Sequence, residues 1–232
     1  LETIQWLSSH DVKFEPIYSR QSFIKEGKHI FWGGLTLASE NEGVGLFNQE
    51  LSAFLNLGGK IFYESPVTDL KFQDNKVTGI FLSEDKIEAD AVILACGGFE
   101  ANGDLRKSFI GDDWLKAKVR GTPHNTGDGL KMALEIGAKK HGLYDGCHAT
   151  PMDLNMKKYG GLDLDPKERK NYRKICYFLG IMINAKGQRF LDEGKNFRNY
   201  TYAQYGRKVL EQPGHFAWQI FDSKVFDLLY EE

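Results

Sequence analysis

The 232 residues are 41% hydrophobic and 27% charged, which is typical of one large or two modest soluble domains. A formal net charge of −2 gives no basic face for nucleic acid, and no apolar run is as long as a membrane span. Three scattered cysteines without a Cys-x-x-Cys pair predict neither a disulfide framework nor a metal site. They favour a reducing compartment, and we therefore expect a cytoplasmic protein.

The first half of the chain alternates between helical and strand-like patterns. Helical spacing predicts one helix over residues 1–9 and another from residue 45 to the glycine pair 58–59. Strand-like runs follow at 60–63, 66–72 and 77–82, and residues 86–89 lead into a further strand. Asp74 and Asn75 predict a hairpin turn between the second and third runs. Helix, strand, hairpin and then a buried strand is the order expected in the second half of a dinucleotide-binding domain.

The buried strand is predicted at residues 91–99, AVILACGGF, a continuous apolar run that stops at two glycines. Such a run indicates a parallel strand whose carboxyl end meets a ligand, although a plain core strand has the same pattern. The sequence NTGDG at 125–129 then begins a helix that Gly137 closes. Thr126 or Asp128 would cap this helix on the simplest interpretation, or would face a polar ligand.

The second half is richer in charged and phenolic side chains. The basic run at 166–174 is typical of a solvated face, or would attract a polyanion if it lay in a cleft. We predict a strand at 177–184 that pairs back with 189–191, then a helix carrying Tyr202 and Tyr205, a strand at 216–221 and a short helix at 225–230. Two arginines and a carboxylate close to these aromatics need partners.

No Gly-x-Gly-x-x-Gly follows an apolar strand, and the chain begins at Leu1 rather than Met. Either the protein does not bind a dinucleotide or its phosphate-binding loop lies upstream. The missing Met agrees with the second alternative, so we expect an internal fragment.

The order of the motifs resembles the flavoprotein family of succinate dehydrogenases, fumarate reductases and related FAD-dependent dehydrogenases. The broad likeness rests on VILACGGF at 92–99, TGDG at 126–129, GIMIN at 180–184, GQRF at 187–190 and Asp192-Glu193. A narrower likeness, to FAD-dependent tricarballylate dehydrogenases, rests on FWGGL at 31–35, VRGT at 119–122, GCH at 146–148 and RNYTYA at 198–203.

The resemblance implies an α/β plus α+β fold, in which a partial FAD-binding Rossmann-like domain (1–129) is followed by a fumarate-reductase-type capping domain (130–232). It implies that the last FAD-binding segment lies downstream, so we expect this chain alone to hold no FAD. The residues that it assigns to FAD are Val67, Ala95, Gly97, Gly98, Asn125, Thr126, Gly127 and Asp128.

In such enzymes a hydride passes from a carbon beside a carboxylate to the flavin, while a protein group takes the neighbouring proton. Arg198 is the nearest match to the proton-carrying arginine, although it lies one residue further from Glu193 than the family pattern has it. Tyr202 competes for that role, because a phenol can also act as a base. Arginine stays charged, so a relay through Glu193 is expected, and His148 resembles a histidine that binds a substrate carboxylate.

The leading hypothesis is the oxidation of a small polycarboxylate, most specifically tricarballylate to cis-aconitate, with an electron acceptor that the sequence does not identify. The alternatives are an enzyme similar to fumarate reductase or succinate dehydrogenase, a ketosteroid dehydrogenase, and, from another class, an inactive fragment or binding module without flavin. Carboxylates need inward arginines or histidines, whereas a steroid needs an apolar slot.

Overall fold

The computed structural model describes residues 2–31, 36–144, 146–160, 163–165, 168–169 and 171–228. Its helices are α1 (Glu2–Ser9), α2 (Tyr18–Gln21), α3 (Glu42–Asn56), α4 (Gly103–Ile110), α5 (Asp128–Glu135) and α6 (Arg198–Leu210). Short 3-10 helices lie at Asp112–Lys116, Tyr177–Leu179, Pro213–His215 and Ser223–Leu228. The strands are β1 (Phe14–Pro16), β2 (Ser22–Lys25), β3 (Lys28–Phe31), β4 (Leu37–Ser39), β5 (Val67–Gln73), β6 (Lys76–Leu82), β7 (Lys86–Glu88), β8 (Ile181–Ile183) and β9 (Trp218–Ile220).

The hairpin predicted around Asp74 and Asn75 is confirmed. β5 pairs antiparallel with β6, and β7 pairs with the other edge of β6. Asp74 and Asn75 have φ values of 47° and 61°, in the left-handed region that these two residue types tolerate in tight turns. Further antiparallel pairs join β1 to β4, β2 to β3 and β8 to β9.

The predicted helix at 45–58 is confirmed as α3, and it ends at the expected glycines. Gly58 has φ 84°, its N–H donates to the Leu55 oxygen at 2.9 Å, and the Gly59 N–H donates to the Phe54 oxygen at 2.9 Å. The apolar face of the helix is not buried, because Phe47 is 60% and Phe54 is 46% exposed. The pattern therefore predicts the helix correctly, but nothing in the described ranges covers that face.

The predicted strands at 60–63 and 91–99 are wrong. Both segments are irregular, and Ile93 is 90% exposed. A strand exists only where a neighbour receives its hydrogen bonds. The β5–β6–β7 sheet is antiparallel, and none of its strands pairs with residues 91–98.

The predicted strand at 177–184 is shorter than expected and has a different partner. It divides into a 3-10 turn and β8, which pairs with β9 rather than with residues 189–191. A single bridge joins Ile183 to Arg189. The predicted turn at 186–187 is present, and Asn184 closes it: its Oδ1 accepts hydrogen bonds from the N–H groups of Lys186 and Gln188 at 2.9 and 3.1 Å, and its own N–H donates to the Gln188 oxygen at 2.9 Å.

The best-packed core surrounds α6, which confirms the predicted helix through Tyr202 and Tyr205. Tyr177, Met182 and Tyr205 are all at most 3% exposed and pack together. The predicted domain division at 129/130 falls inside α5. No helix in the described ranges is long and apolar enough to cross a membrane. Residues 32–35 of the FWGGL motif, and Lys167 and Lys170 of the basic run, lie outside the described residues.

Candidate active site

The two glycine-rich loops expected at the dinucleotide lie against each other. Nδ2 of Asn125 donates to Oε1 of Glu100 at 2.5 Å. A Cβ added at Gly97 would lie 2.8 Å from Oδ1 of Asn125, and one at Gly129 would lie 2.9 Å from Sγ of Cys96. Glycine at both positions therefore lets one loop rest directly on the other. The structure brings together two of the segments that sequence reasoning assigned to one site.

Residues 91–98 offer an exposed backbone beside these contacts. No backbone hydrogen bond joins them to another residue of the described chain. Gly97 has φ 75°, and Ala95, Gly97 and Gly98 are all exposed. Small side chains and open amide groups are what close contact with a flat dinucleotide requires, so these residues fit FAD.

The loop at 125–128 leads directly into α5. Gly127, with φ 87°, is the N-cap residue, and no side chain caps the helix. Oγ1 of Thr126 instead donates to Oδ2 of Asp128 at 2.8 Å, and Asp128 is exposed. The capping interpretation of these two residues is therefore wrong. Val67 lies apart from them at the start of β5, in register with Leu82.

Glu193 is 2% exposed and holds two elements in place. Its Oε1 accepts a hydrogen bond from the Met182 N–H of β8 at 2.5 Å. Its Oε2 accepts from Nε and Nη2 of Arg189 at 2.9 and 2.5 Å, and this ion pair raises the pKa of Arg189. Both carboxylate oxygens thus support the turn after β8, which is a structural role for a residue predicted to relay protons.

Arg198 is the first residue of α6 and is 4% exposed. Its Nη2 donates to Oε1 of Gln21 at 2.9 Å, and its guanidinium lies 5.8 Å from the centre of the Phe178 ring. The Tyr177 and Thr201 hydroxyls share a hydrogen bond of 2.6 Å, and the one whose proton is not used in it donates to the Arg198 carbonyl, which lies 3.4 and 3.3 Å from the two oxygens. The side chain and the backbone of Arg198 are therefore both fixed.

His148 and Tyr202 are in direct contact. Their ring centroids are 5.1 Å apart, and the planes meet at 67°. The cause of this approach is Gly206 on α6, where a Cβ would lie 2.3 Å from the carbonyl carbon of Ala149. A glycine at this helix position allows the segment after His148 to pack directly on α6. Two of the predicted catalytic residues are thus brought together.

A cleft of about 1840 Å³ runs past His148. Tyr202, which contacts the His148 ring from behind, does not line this cleft. Arg198 does not line it either, and lies one helical turn before Tyr202 on α6. Arginines, carboxylates and apolar residues all contribute to the lining. The arginines are Arg106, Arg120, Arg169 and Arg173; the acids are Asp11, Glu15, Glu40, Glu42, Glu100, Asp153 and Asp165.

One wall of the cleft is held by two basic side chains. Arg106 is 6% exposed, and its Nη1 donates to the carbonyl oxygens of Trp114 at 2.6 Å and Ala117 at 2.9 Å. Nζ of Lys118 bridges the carbonyl oxygens of Leu154 and Met156. The basic run also contributes, since Arg169 and Arg173 are half-buried in the lining rather than on a solvated face.

Sequence reasoning missed Gln21, Arg106 and Gly206. No sequence motif marks these three residues, because the role of each depends on a contact with a residue that is distant in sequence. No cluster of possible metal ligands occurs among the residues that the structure describes.

Comparison with known proteins places the chain in a family. A model of the FAD binding domain matches residues 2–226. The 3-oxosteroid 1-dehydrogenase of Mycolicibacterium smegmatis is 27% identical over 188 residues, covering 73% of this chain and 31% of that protein. The fumarate reductase (cytochrome) of Shewanella frigidimarina is 32% identical over 151 residues, covering 64% of this chain and 23% of that protein. The open conformation of a flavocytochrome c3 fumarate reductase superposes with a TM-score of 0.63 at 24% identity, over 98% of this chain and 38% of that one, which shows a shared fold.

The chain spans less than a third of the length of these two relatives. The mixed fold class is confirmed, and FAD is confirmed as the cofactor of the family. The family model covers nearly every residue, including both glycine-rich loops and α6. The chain therefore belongs to the FAD binding domain family of flavoproteins.

Proposed function

We propose that the protein is an FAD-dependent dehydrogenase that oxidises a CH–CH bond of a small polycarboxylate. The observation that carries this proposal is the placement of His148 on a cleft that Arg120, Arg169 and Arg173 also line, with Tyr202 behind its ring. A planar guanidinium binds a carboxylate through two parallel hydrogen bonds, so several arginines suit a substrate with several carboxylates. Tricarballylate, oxidised to cis-aconitate, is the favoured substrate.

The site residues would have separate roles. Ala95, Gly97 and Gly98 would meet FAD on one side, and Asn125 to Asp128 would meet it on the other. When bound, FAD supplies a two-electron acceptor for a hydride. His148 would hold a substrate carboxylate at the cleft.

The proton from the neighbouring carbon would pass to Tyr202 in its phenolate form, or to Arg198 acting as a relay that gives up one guanidinium proton as it takes another. Tyr202 is half-buried against His148, and Arg198 is almost fully buried one turn earlier on α6. Arg198 is therefore shielded from bulk water, so that a proton can be held there at a defined atom. Arg198→Lys separates the candidates, because turnover that survives this change would leave Tyr202 as the carrier.

A 3-oxosteroid is the second candidate substrate. It is favoured by the similarity to 3-oxosteroid 1-dehydrogenase and by the apolar side chains that also line the cleft. These are Trp114, Val119, Met152, Leu154, Met156, Val209 and Leu210. An apolar slot of this kind suits a steroid ring system.

The deciding experiment is anaerobic reduction of the flavin in the full-length protein. Tricarballylate, succinate and a 3-oxosteroid are added separately, and loss of the oxidised flavin absorbance is followed. We expect tricarballylate to bleach the flavin. Bleaching by the steroid and by neither acid would overturn the proposal, and a protein that binds no FAD would leave a binding module as the function. His148→Ala is the matched variant and should weaken the response to the acids.

A further inference from the structure

Gln21 and Arg198 form a buried contact between two distant parts of the chain. Gln21 is the last residue of α2 and Arg198 the first of α6, and the two are 177 positions apart in sequence. Their side chains are 5% and 4% exposed, and the Nη2–Oε1 distance is 2.9 Å. A buried hydrogen bond between a charged and a neutral group is worth more than a surface contact, because neither group can turn to water.

Each partner is fixed by its own surroundings. After Gln21 the chain enters β2 at Ser22, whose Oγ is within 2.9 Å of Nδ1 of His29 on the paired strand β3. Tyr18, at the start of α2, packs against the His29 ring at 4.6 Å. The β2–β3 hairpin therefore sets where Gln21 stands. On the other side, the Phe178 ring faces the guanidinium of Arg198.

The chemistry of Gln21 distinguishes it from an ordinary partner of arginine. Its amide oxygen accepts the hydrogen bond but brings no negative charge to the site. A carboxylate at the same place would form an ion pair with the guanidinium and would hold its protons more tightly. Both carboxylate oxygens of Glu193, the acid expected to act with Arg198, are engaged by Arg189 and Met182.

We propose that Gln21 is a positioning residue for Arg198, whose neutral amide orients the guanidinium for its part in the reaction without neutralising it. This inference rests on the proposed function, in which Arg198 takes part in proton transfer. Gln21 acts through Arg198 and does not touch the substrate. The segment that carries Gln21 therefore belongs to the active site although it is remote from α6 in sequence.

The test uses the full-length, FAD-loaded protein and three variants at one position. Gln21→Met keeps the length and removes the acceptor, whereas Gln21→Glu keeps the acceptor and adds a charge. We expect Gln21→Met to lower kcat about 10- to 100-fold with KM changed less than about threefold, because a misplaced catalytic group loses rate rather than binding. Gln21→Glu should lower kcat while the melting temperature and FAD content stay at the wild-type values. Gln21→Ala should match Gln21→Met.

A double-mutant cycle with Arg198→Lys tests whether the effect of Gln21 on turnover acts through Arg198. We expect Gln21→Met to have no further effect on flavin reduction in the Arg198→Lys background. Equal losses in both backgrounds would overturn the inference, and so would a wild-type kcat in Gln21→Glu. If Gln21→Met fails to fold, Gln21→Glu decides alone. Gln219→Met is the matched control, because Gln219 is a half-buried glutamine on β9 that bonds to the Lys174 carbonyl.

The same cycle separates failure of this inference from failure of the proposed function. If Arg198→Lys has wild-type turnover, Arg198 has no part in the reaction and the role of Gln21 is disproved, while the proposed function stands with Tyr202 as the proton carrier. If Arg198→Lys loses turnover but Gln21→Met does not, the proposed function stands and the role of Gln21 is disproved.

Discussion

The imidazole ring of His148 meets the phenol ring of Tyr202 edge-on, with centroids 5.1 Å apart and an angle of 67° between the planes. His148 lines the cleft, and Tyr202 supports it from α6. The contact joins a residue proposed to bind substrate to one proposed to take its proton. A substitution that removes either ring should therefore change the position of the other.

Removing the Tyr202 hydroxyl tests its part in proton transfer. Tyr202→Phe keeps the ring against His148, so binding should change little. We expect kcat to fall by about 10² or more, the usual contribution of a positioned acid or base. Steady-state kinetics with tricarballylate on the full-length protein measure this. A kcat equal to that of the wild type would assign the proton to Arg198.

Filling the space at Gly206 should separate α6 from the segment after His148. A Cβ there would lie 2.3 Å from the backbone of Ala149. Backbone cannot move aside as a flexible side chain does, so Gly206→Ala should destabilise the protein by about 1–3 kcal/mol and weaken substrate binding. Urea unfolding and KM measure the two effects. Gln204→Ala, at an exposed position of the same helix, is the control and should be near neutral.

Glu193 should matter more for folding than its ion-pair partner. Glu193→Ala leaves the buried N–H of Met182 without an acceptor and should cost about 3 kcal/mol. Arg189→Ala removes a 54% exposed side chain but leaves Oε2 of the buried Glu193 carboxylate without its partner, so it should cost about 1–2 kcal/mol, less than Glu193→Ala. Equal losses in urea unfolding would show that the ion pair, and not the bond to Met182, stabilises the turn.

Gly127 should be needed for both stability and FAD binding. It has φ 87°, and a Cβ would lie 2.6 Å from Cδ1 of Leu105, so Gly127→Ala adds a clash to backbone strain. Gly137→Ala is the matched control, because Gly137 has φ 90° and nothing within 4 Å of its added Cβ. We expect Gly127→Ala to retain less FAD than Gly137→Ala in the purified full-length protein. Equal flavin content would show that strain alone matters.

Ionisation of the Tyr177 phenol should make the free energy of unfolding depend on pH in the alkaline range. Burial raises the pKa of Tyr177 to about 12, while its hydrogen bond with Thr201 lowers it in part. The unfolded chain loses this proton near pH 10, so the stability from Tyr177 is full below pH 10 and is lost as pH rises toward about 12. Tyr177→Phe should be less stable at neutral pH by about 1 kcal/mol and should show a flatter decline in that range. Urea unfolding at several pH values measures it, and an unchanged slope would contradict the assignment.

The local sequence pattern correctly predicted the elements whose hydrogen bonds and turns form within one short segment. The helix α3 with its closing glycines, the β5–β6 hairpin at Asp74 and Asn75, and α6 all follow from spacing and turn chemistry within a few residues. The order of motifs gave the family and its cofactor. Residues 91–98 failed as a strand for the opposite reason, since an extended segment depends on a neighbour that its own sequence does not specify.

The sequence by itself thus determined α1, α3, α5, α6, the hairpin and the membership of a flavoprotein family, because the hydrogen bonds of these elements and the order of the motifs depend on short segments. Only the tertiary structure decided that His148 rests on Tyr202 and that Gln21 binds Arg198. Both contacts depend on how distant segments pack, and the first also needs the close backbone approach that Gly206 permits. No pattern around Gln21 indicates a partner 177 residues away.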